Sequence, residues 1–294
     1  MPDNLASFKV FAQGGLNTSR DVLSQGELAP GSAIALINYE PAVTGGYRKI
    51  NGFANNYGTV TGTGSVLGVA VADGINDGIF AARKPSSGNN YLHKWNNSTS
   101  SWDAITTSGS PTMIGVSKVR FSRLNFGTPK IVLTDGINPA ATYDGSTYTQ
   151  ITHASAPTDP KYSAIFQNHL FLAGDPAHPT KLFFSAPLDE TDFASGNGAG
   201  VINVGFPIVA IKSFRNELYI FGATNIKKMS GTALANFVVS TVTDDLGCLA
   251  TDSVIEIGGD LLFLSQDGLR PVSGTDRIGD VNLETVYLIL ILIL

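Results

Sequence analysis

One stretch of this chain occurs twice. Glu217 to Gly231 reads ELYIFGATNIKKMSG and Asp260 to Gly274 reads DLLFLSQDGLRPVSG, fifteen residues that align without a gap 43 positions apart. Each copy opens on an acidic residue, runs through four large apolar residues, turns at small or polar ones and closes on Ser-Gly. The segments just upstream, Val209–Asn216 and Asp252–Gly259, keep the same register. A buried apolar run, a tight turn and a second strand make a β repeat. A period of 40 to 50 residues built from short strands points to propeller blades.

Similar units precede the pair. Asp77–Asn96 (DGIFAARKPSSGNNYLHKWN), Pro129–Gly145 (PKIVLTDGINPAATYDG) and Asn168–Pro187 (NHLFLAGDPAHPTKLFFSAP) each place a turn between two strand-like runs. The second residue of each apolar run falls at Phe80, Val132, Phe171, Tyr219 and Leu262, giving spacings of 52, 39, 48 and 43. Five units are thus visible, with an orphan strand at Tyr47–Phe53 (YRKINGF). A blade shared between that strand and the segment after Gly279 predicts six, and radial closure would protect the strand edges. The expected organisation is an N-terminal arm over 1–46, an all-β propeller over 47–287, and an apolar stub over 288–294. One patch in the arm, Ser32–Ile37, is compatible with a short helix behind Pro30. A large sandwich or barrel is the alternative all-β reading.

Composition agrees with many short strands. Apolar residues make up 43%, charged residues only 15%, and there are 32 Gly and 14 Pro. The net charge of −5 argues against a surface that coats nucleic acid. Cys248 is the only cysteine and reads as a small buried hydrophobe. The first residues lack the basic and apolar regions of a secretory signal. Leu288–Leu294 reads LILILIL, too short to span a bilayer; it reads as a strand buried in the fold or in a partner, or as the stub of a truncated chain, and no function is placed there.

The search for chemistry returns little. His93, His153, His169 and His178 show no metal-ligand spacing and are expected on exposed loops. Asp73–Gly78 lacks the alternating ligands of a calcium loop and reads as a turn. Asp189, Glu190 and Asp192 cluster in LDETDF, where a solvated turn is the default over an acid/base pair. Ser265-Gln266-Asp267-Gly268 is the nearest approach to a sialidase-type Ser-x-Asp turn, but it has no matching Trp. No nucleophile elbow, P-loop or dinucleotide fingerprint occurs. No catalytic, cofactor-binding or metal residue is therefore assigned. Trp95, Trp102, Tyr91 and Tyr148 could form a sugar-binding platform if exposed beside carboxylates, although blade packing is the default for such residues.

Two stretches carry a resemblance. In Ala12–Phe53 the order Gly14-Gly15-Leu16, Pro30-Gly31, Asn38-Tyr39-Glu40, Gly45-Gly46-Tyr47-Arg48 and Gly52-Phe53 resembles the start of a family of bacteriophage tail proteins. The blade Asn168–Gly200 is also similar to them. These are the tail nozzle, or tail tubular B, proteins of short-tailed phages. The resemblance implies a six-bladed propeller that assembles as a homohexamer below the adaptor ring and forms the DNA exit channel. It implies no enzyme activity, contacts with the adaptor and with tail fibre or other tail proteins, and passage of genomic DNA without sequence-specific binding. A carbohydrate-binding or glycoside-cleaving propeller for receptor recognition is the competing expectation.

Overall fold

The computed structural model describes residues 14–18, 31–42, 45–52, 57–75 and 78–275. The chain divides into two compact units, Met1–Asn56 and Tyr57–Leu294. In the first, β1 (Tyr39–Pro41) pairs antiparallel with β2 (Tyr47–Lys49), so that Glu40 lies directly opposite Arg48.

The second unit is all-β and has a propeller arrangement of antiparallel sheets met in chain order. The first blade holds β3 (Thr63–Ala72), β4 (Gly78–Lys84), β5 (Leu92–Asn96) and β6 (Ser101–Ala104). The second holds β7 (Arg120–Asn125), β8 (Pro129–Thr134), β9 (Ala141–Tyr143) and β10 (Tyr148–Gln150). The third holds β11 (Tyr162–Phe166), β12 (His169–Ala173), β13 (Lys181–Phe184) and β14 (Gly200–Asn203). The fourth holds β15 (Ala210–Phe214), β16 (Glu217–Phe221), β17 (Ile226–Ser230) and β18 (Val238–Thr243). The fifth has three strands, β19 (Ile255–Ile257), β20 (Asp260–Ser265) and β21 (Gly268–Pro271), followed by the short helix α1 (Val272–Thr275).

The five apolar anchors of the sequence pattern, Phe80, Val132, Phe171, Tyr219 and Leu262, all fall in the second strand of a blade, and all are buried. In every blade that strand has neighbouring strands on both sides, and in the second, third and fourth blades it is also covered by sheets on both faces. Its sequence is accordingly a continuous apolar run rather than an alternating one. The duplicated stretch places β16 over β20 and β17 over β21. The copies part at Pro271, where β21 stops and α1 begins.

Blades cohere through their faces. One apolar cluster joins the first and second blades through Phe80, Leu92, Ile131 and Tyr143. Leu124, Val132, Leu170 and Phe183 join the second and third. Phe171, Phe184, Ile211 and Leu218 join the third and fourth. Phe214, Phe221, Leu261 and Phe263 join the fourth and fifth. Among the described residues, then, four apolar cores join five successive blades.

Two-residue turns link the first and second strands of the last three blades. Gln167-Asn168, Arg215-Asn216 and Gly258-Gly259 all take left-handed backbone angles, with φ between 47° and 80°. Two successive left-handed residues match the right-handed twist of an antiparallel hairpin. Glycine adopts that geometry freely, whereas Gln167 and Arg215 are held in it against their preference.

Two expectations meet a different outcome, and two fall outside the described residues. Five blades are described rather than six, and the orphan strand pairs with β1 in its own hairpin instead of extending a blade. The residues after Gly279 and the LILILIL run lie outside the described residues. Ser32–Ile37 is not helical: Ala33 forms an isolated bridge with Leu16 and donates its N–H to Gly15 O. Six residues cannot recover the cost of helix nucleation when their backbone groups find partners elsewhere.

Phe184 is fully buried in the core between the third and fourth blades. Phe184→Ala should cost about 3–5 kcal/mol in denaturant unfolding, whereas Val238→Ala on the exposed outer strand should change stability by less than about 0.5 kcal/mol. Gln167→Gly should raise stability by up to about 1 kcal/mol in the same assay, because it relieves the left-handed strain.

Candidate functional site

The innermost strands β3, β7, β11 and β15 converge on a cavity of about 570 Å3 at the hub of the second unit. Its wall carries Lys118, Arg120, Arg123 and Lys212 against Asp252, together with Tyr162 and Thr251. Asp252 stands at the entry to the fifth blade, yet its carboxylate is held by the second. Arg120 donates to both oxygens, from Nε at 2.9 Å and Nη2 at 3.0 Å, and Lys118 Nζ lies 2.8 Å away. The Arg120 guanidinium also sits over the Tyr162 ring of the third blade, 5.4 Å from its centroid. Thr251 Oγ1 donates to Val209 O at 2.8 Å and lies 3.2 Å from the Tyr162 hydroxyl. The hub is thus a polar lock that ties the fifth blade to the second, third and fourth. Arg123 reaches outward to Asp73 instead, with its nitrogen 3.7 Å from the carboxylate.

Burial alone would raise the Asp252 carboxyl, but hydrogen bonds from Arg120 and Lys118 outweigh it and hold the group below the usual carboxylate range. A depressed folded-state value means stabilisation that is present above the unfolded carboxylate value and lost as the pH falls through the folded one.

A second constellation lies in the first unit, around the hydroxyl of Tyr47. It donates to Gly15 O at 3.1 Å and to Gly31 O at 2.9 Å. Gly14 N donates to Gly31 O, Leu16 bridges Ala33, and Arg48 Nε donates to Glu40 Oε1 at 2.6 Å. Three short motifs separated by up to 32 residues therefore meet at the Tyr47 side chain, and a fourth is tied alongside through Glu40 and Arg48. Around them Leu16, Ile34, Ile37, Tyr39 and Ile50 remain exposed.

The residues singled out from the sequence do not assemble into a catalytic group. His93 and His169 are buried within strands, not on exposed loops, with Nδ1 at 3.2 Å from Tyr91 O and 2.6 Å from Ser185 O respectively. A strand interior accepts a histidine when a carbonyl satisfies its ring. Burial lowers the pKa of His93. His153 and His178 do lie in turns, near Asp192 at 4.0 Å and Asp175 at 3.5 Å. The three carboxylates of LDETDF serve three separate tasks. Asp189 accepts from Thr191, buried Glu190 pairs with Lys130, and Asp192 accepts from Ala194 N and Asn197. No group of three His, Cys, Asp or Glu among the described residues is arranged to hold a metal.

The aromatic residues pack rather than present. Tyr91 and Tyr148 are buried with their hydroxyls 3.1 Å apart, and burial pushes Tyr148 up to about 12. Trp95 is buried edge-to-face against Trp102, whose Nε1 donates to Tyr57 O. Asp267 pairs with Arg270, and Cys248 is buried with its thiol toward Ala250 O. The Asp73 turn is described only in part, since Asn76 and Asp77 lie outside the described residues. No helix among the described residues is long and apolar enough to cross a membrane.

The hub lock generates a pH prediction. Asp252→Asn should lower the melting temperature by about 2–4 °C at pH 7, the value for roughly 1 kcal/mol in a domain of this size. The gap between variant and wild type should start to shrink once the pH falls below the ordinary carboxylate value of about 4, and close only as the pH falls through the lower value of the folded carboxylate. A gap independent of pH would mean that the carboxylate charge is not what the hub uses.

No family model matches the chain, and neither does any curated protein. Several solved structures are similar to the chain at low identity. An extracellular domain of a one component system from B. thetaiotaomicron is 15% identical with a TM-score of 0.47, and covers 77% of this chain. BBS1N, solved in complex with ARL6DN, is 8% identical with a TM-score of 0.44, and covers 70%. The computationally designed Ika8 protein is 10% identical with a TM-score of 0.35, and also covers 70%. This chain spans 28% of the first of these and 62% of the second.

Proposed function

We propose that this chain is a structural protein of a phage tail, a subunit of the nozzle ring that forms the DNA exit channel below the adaptor. The observation that carries this reading is the knot around Tyr47. Gly15, Gly31 and Tyr47, from three elements of the resemblance scattered in sequence, are joined by hydrogen bonds, and Glu40 of a fourth pairs with Arg48 beside them. Their meeting supports reading these motifs together as one element. The exposed apolar residues around the knot suit an element made to be covered by another subunit.

In this reading the protein resides in the virion and has a scaffolding role instead of a catalytic one. Its neighbours are further copies of itself, the adaptor ring, and tail fibre or other tail proteins. The low charge content suits large interfaces, whose buried centres are depleted of charged residues. Net acidity suits a conduit for DNA, because each phosphate contact by Lys or Arg would retain the passing strand. The competing sugar-binding platform finds no support in the aromatics, three of which are buried in blade packing.

The test is the mass of the purified particle by native mass spectrometry. A closed hexamer that retains no DNA at physiological salt is the expected result. A monomer at every concentration would overturn the ring.

A further inference from the structure

The hub lock leaves most of the positive charge in its cavity unanswered. The wall carries four cations and one carboxylate. Arg123 is answered by Asp73, through its side chain and its carbonyl. Lys118, Arg120 and Lys212 remain, and among the described residues of the wall Asp252 is the one acid that faces them. Three cations against one carboxylate leave a local balance of +2, in a chain whose net charge is −5. Charge of one sign on a concave wall concentrates the field inside it.

The donors are also under-used. Arg120 spends Nε and Nη2 on Asp252, and Lys118 Nζ meets the same carboxylate. Among the described residues Arg120 Nη1 and Lys212 Nζ have no hydrogen-bond or ion-pair partner. Lys212 stands on β15, three residues beyond Val209, whose carbonyl holds Thr251 next to Asp252. A solute can reach all three cations. The side chains of Lys118 and Arg120 are 48% and 24% exposed, and Lys212 is exposed as well. The same cavity has an apolar wall in Val69 and Val71 of β3, which are 61% and 63% exposed.

We propose that the hub cavity binds a small organic dianion, doubly charged at one end and apolar at the other. The charge of the ligand follows from the surplus of two. Its head group follows from Asp252, whose two oxygens show that the Arg120 fork is set to grip a planar or tetrahedral oxyanion. Its apolar body follows from Val69 and Val71. Its size follows from the cavity of about 570 Å3, which lies within the roughly 300–1,000 Å3 of small-molecule sites. A nucleic-acid duplex is too wide to enter. The site goes beyond the ring proposed above and does not depend on it, since every lining residue belongs to the second unit of one chain.

The experiment is calorimetric titration of the full chain at fixed ionic strength with phenyl phosphate and with phthalate, two dianions that differ in head group. Benzoate and inorganic phosphate serve as the singly charged and the body-less comparisons. At least one of the two dianions should bind saturably, one per chain, and more tightly than either comparison; the one that binds names the head group. Lys212→Gln should weaken that binding about tenfold, the worth of one charge-assisted hydrogen bond. Lys84→Gln, on an exposed lysine of β4 outside the cavity, should leave it unchanged. Val71→Asp, which puts a negative charge on the exposed apolar wall, should abolish it and provides a second arm should Lys212→Gln misfold. No saturable binding of either dianion would overturn the proposal. So would an affinity that survives both cavity variants, an equal loss in Lys84→Gln, or inorganic phosphate binding as tightly as the organic dianions.

Discussion

The packing of one apolar sheet face on the next is the constraint on which this structure depends. A four-stranded sheet is unstable alone, and a blade becomes part of a fold only when neighbours cover it. The four clusters that join successive blades supply that cover with large aromatic and branched residues, among them Phe80, Phe171, Phe184, Phe221 and Phe263, all fully buried. Everything polar follows from this arrangement. Hydrophilic groups collect where sheets converge and space runs out, at the hub, or where strands turn, at the rims.

The second unit therefore combines a rigid apolar body with a hub held by a few charges. Arg120 is the central residue of that hub, since its guanidinium stacks on Tyr162 while both its forks engage Asp252. A planar cation serves there in a way that a lysine could not, because it stacks and binds bidentately at once. The outer rim carries the turns, where Arg215 donates to Gly259 O in the equivalent turn of the next blade and covers the Phe214 ring.

The legible part of the fold was the part buried on both faces. Second strands such as Glu217–Phe221 and Asp260–Ser265 are continuous apolar runs, and they revealed both the repeat and its period. First strands were faint. Thr63–Ala72 reads TGSVLGVAVA, a largely exposed strand whose second half lines the hub cavity, and Ile255–Ile257 is only three residues long. Outer strands such as Ser101–Ala104 are half solvated and carry little pattern. The buried histidines were misjudged because a backbone carbonyl partner leaves no trace in sequence. The hub lock was invisible for another reason: Arg120 and Asp252 stand 132 residues apart, and only the curvature of the blade array brings them together. The Tyr47 knot was read as a string of motifs, without its centre.

An array in which each blade touches only its neighbours would unfold like a zip, fraying from whichever end is weaker. The carboxylate of Asp252 changes that order of events. It bonds the last described blade to the second, skipping two that lie between, and Thr251 makes a further tie to the third. The fifth blade cannot peel away without breaking contacts in the middle of the array. A single side chain across the hub thus converts a linear stack into a cooperative body, in which the loss of one end is felt near the other.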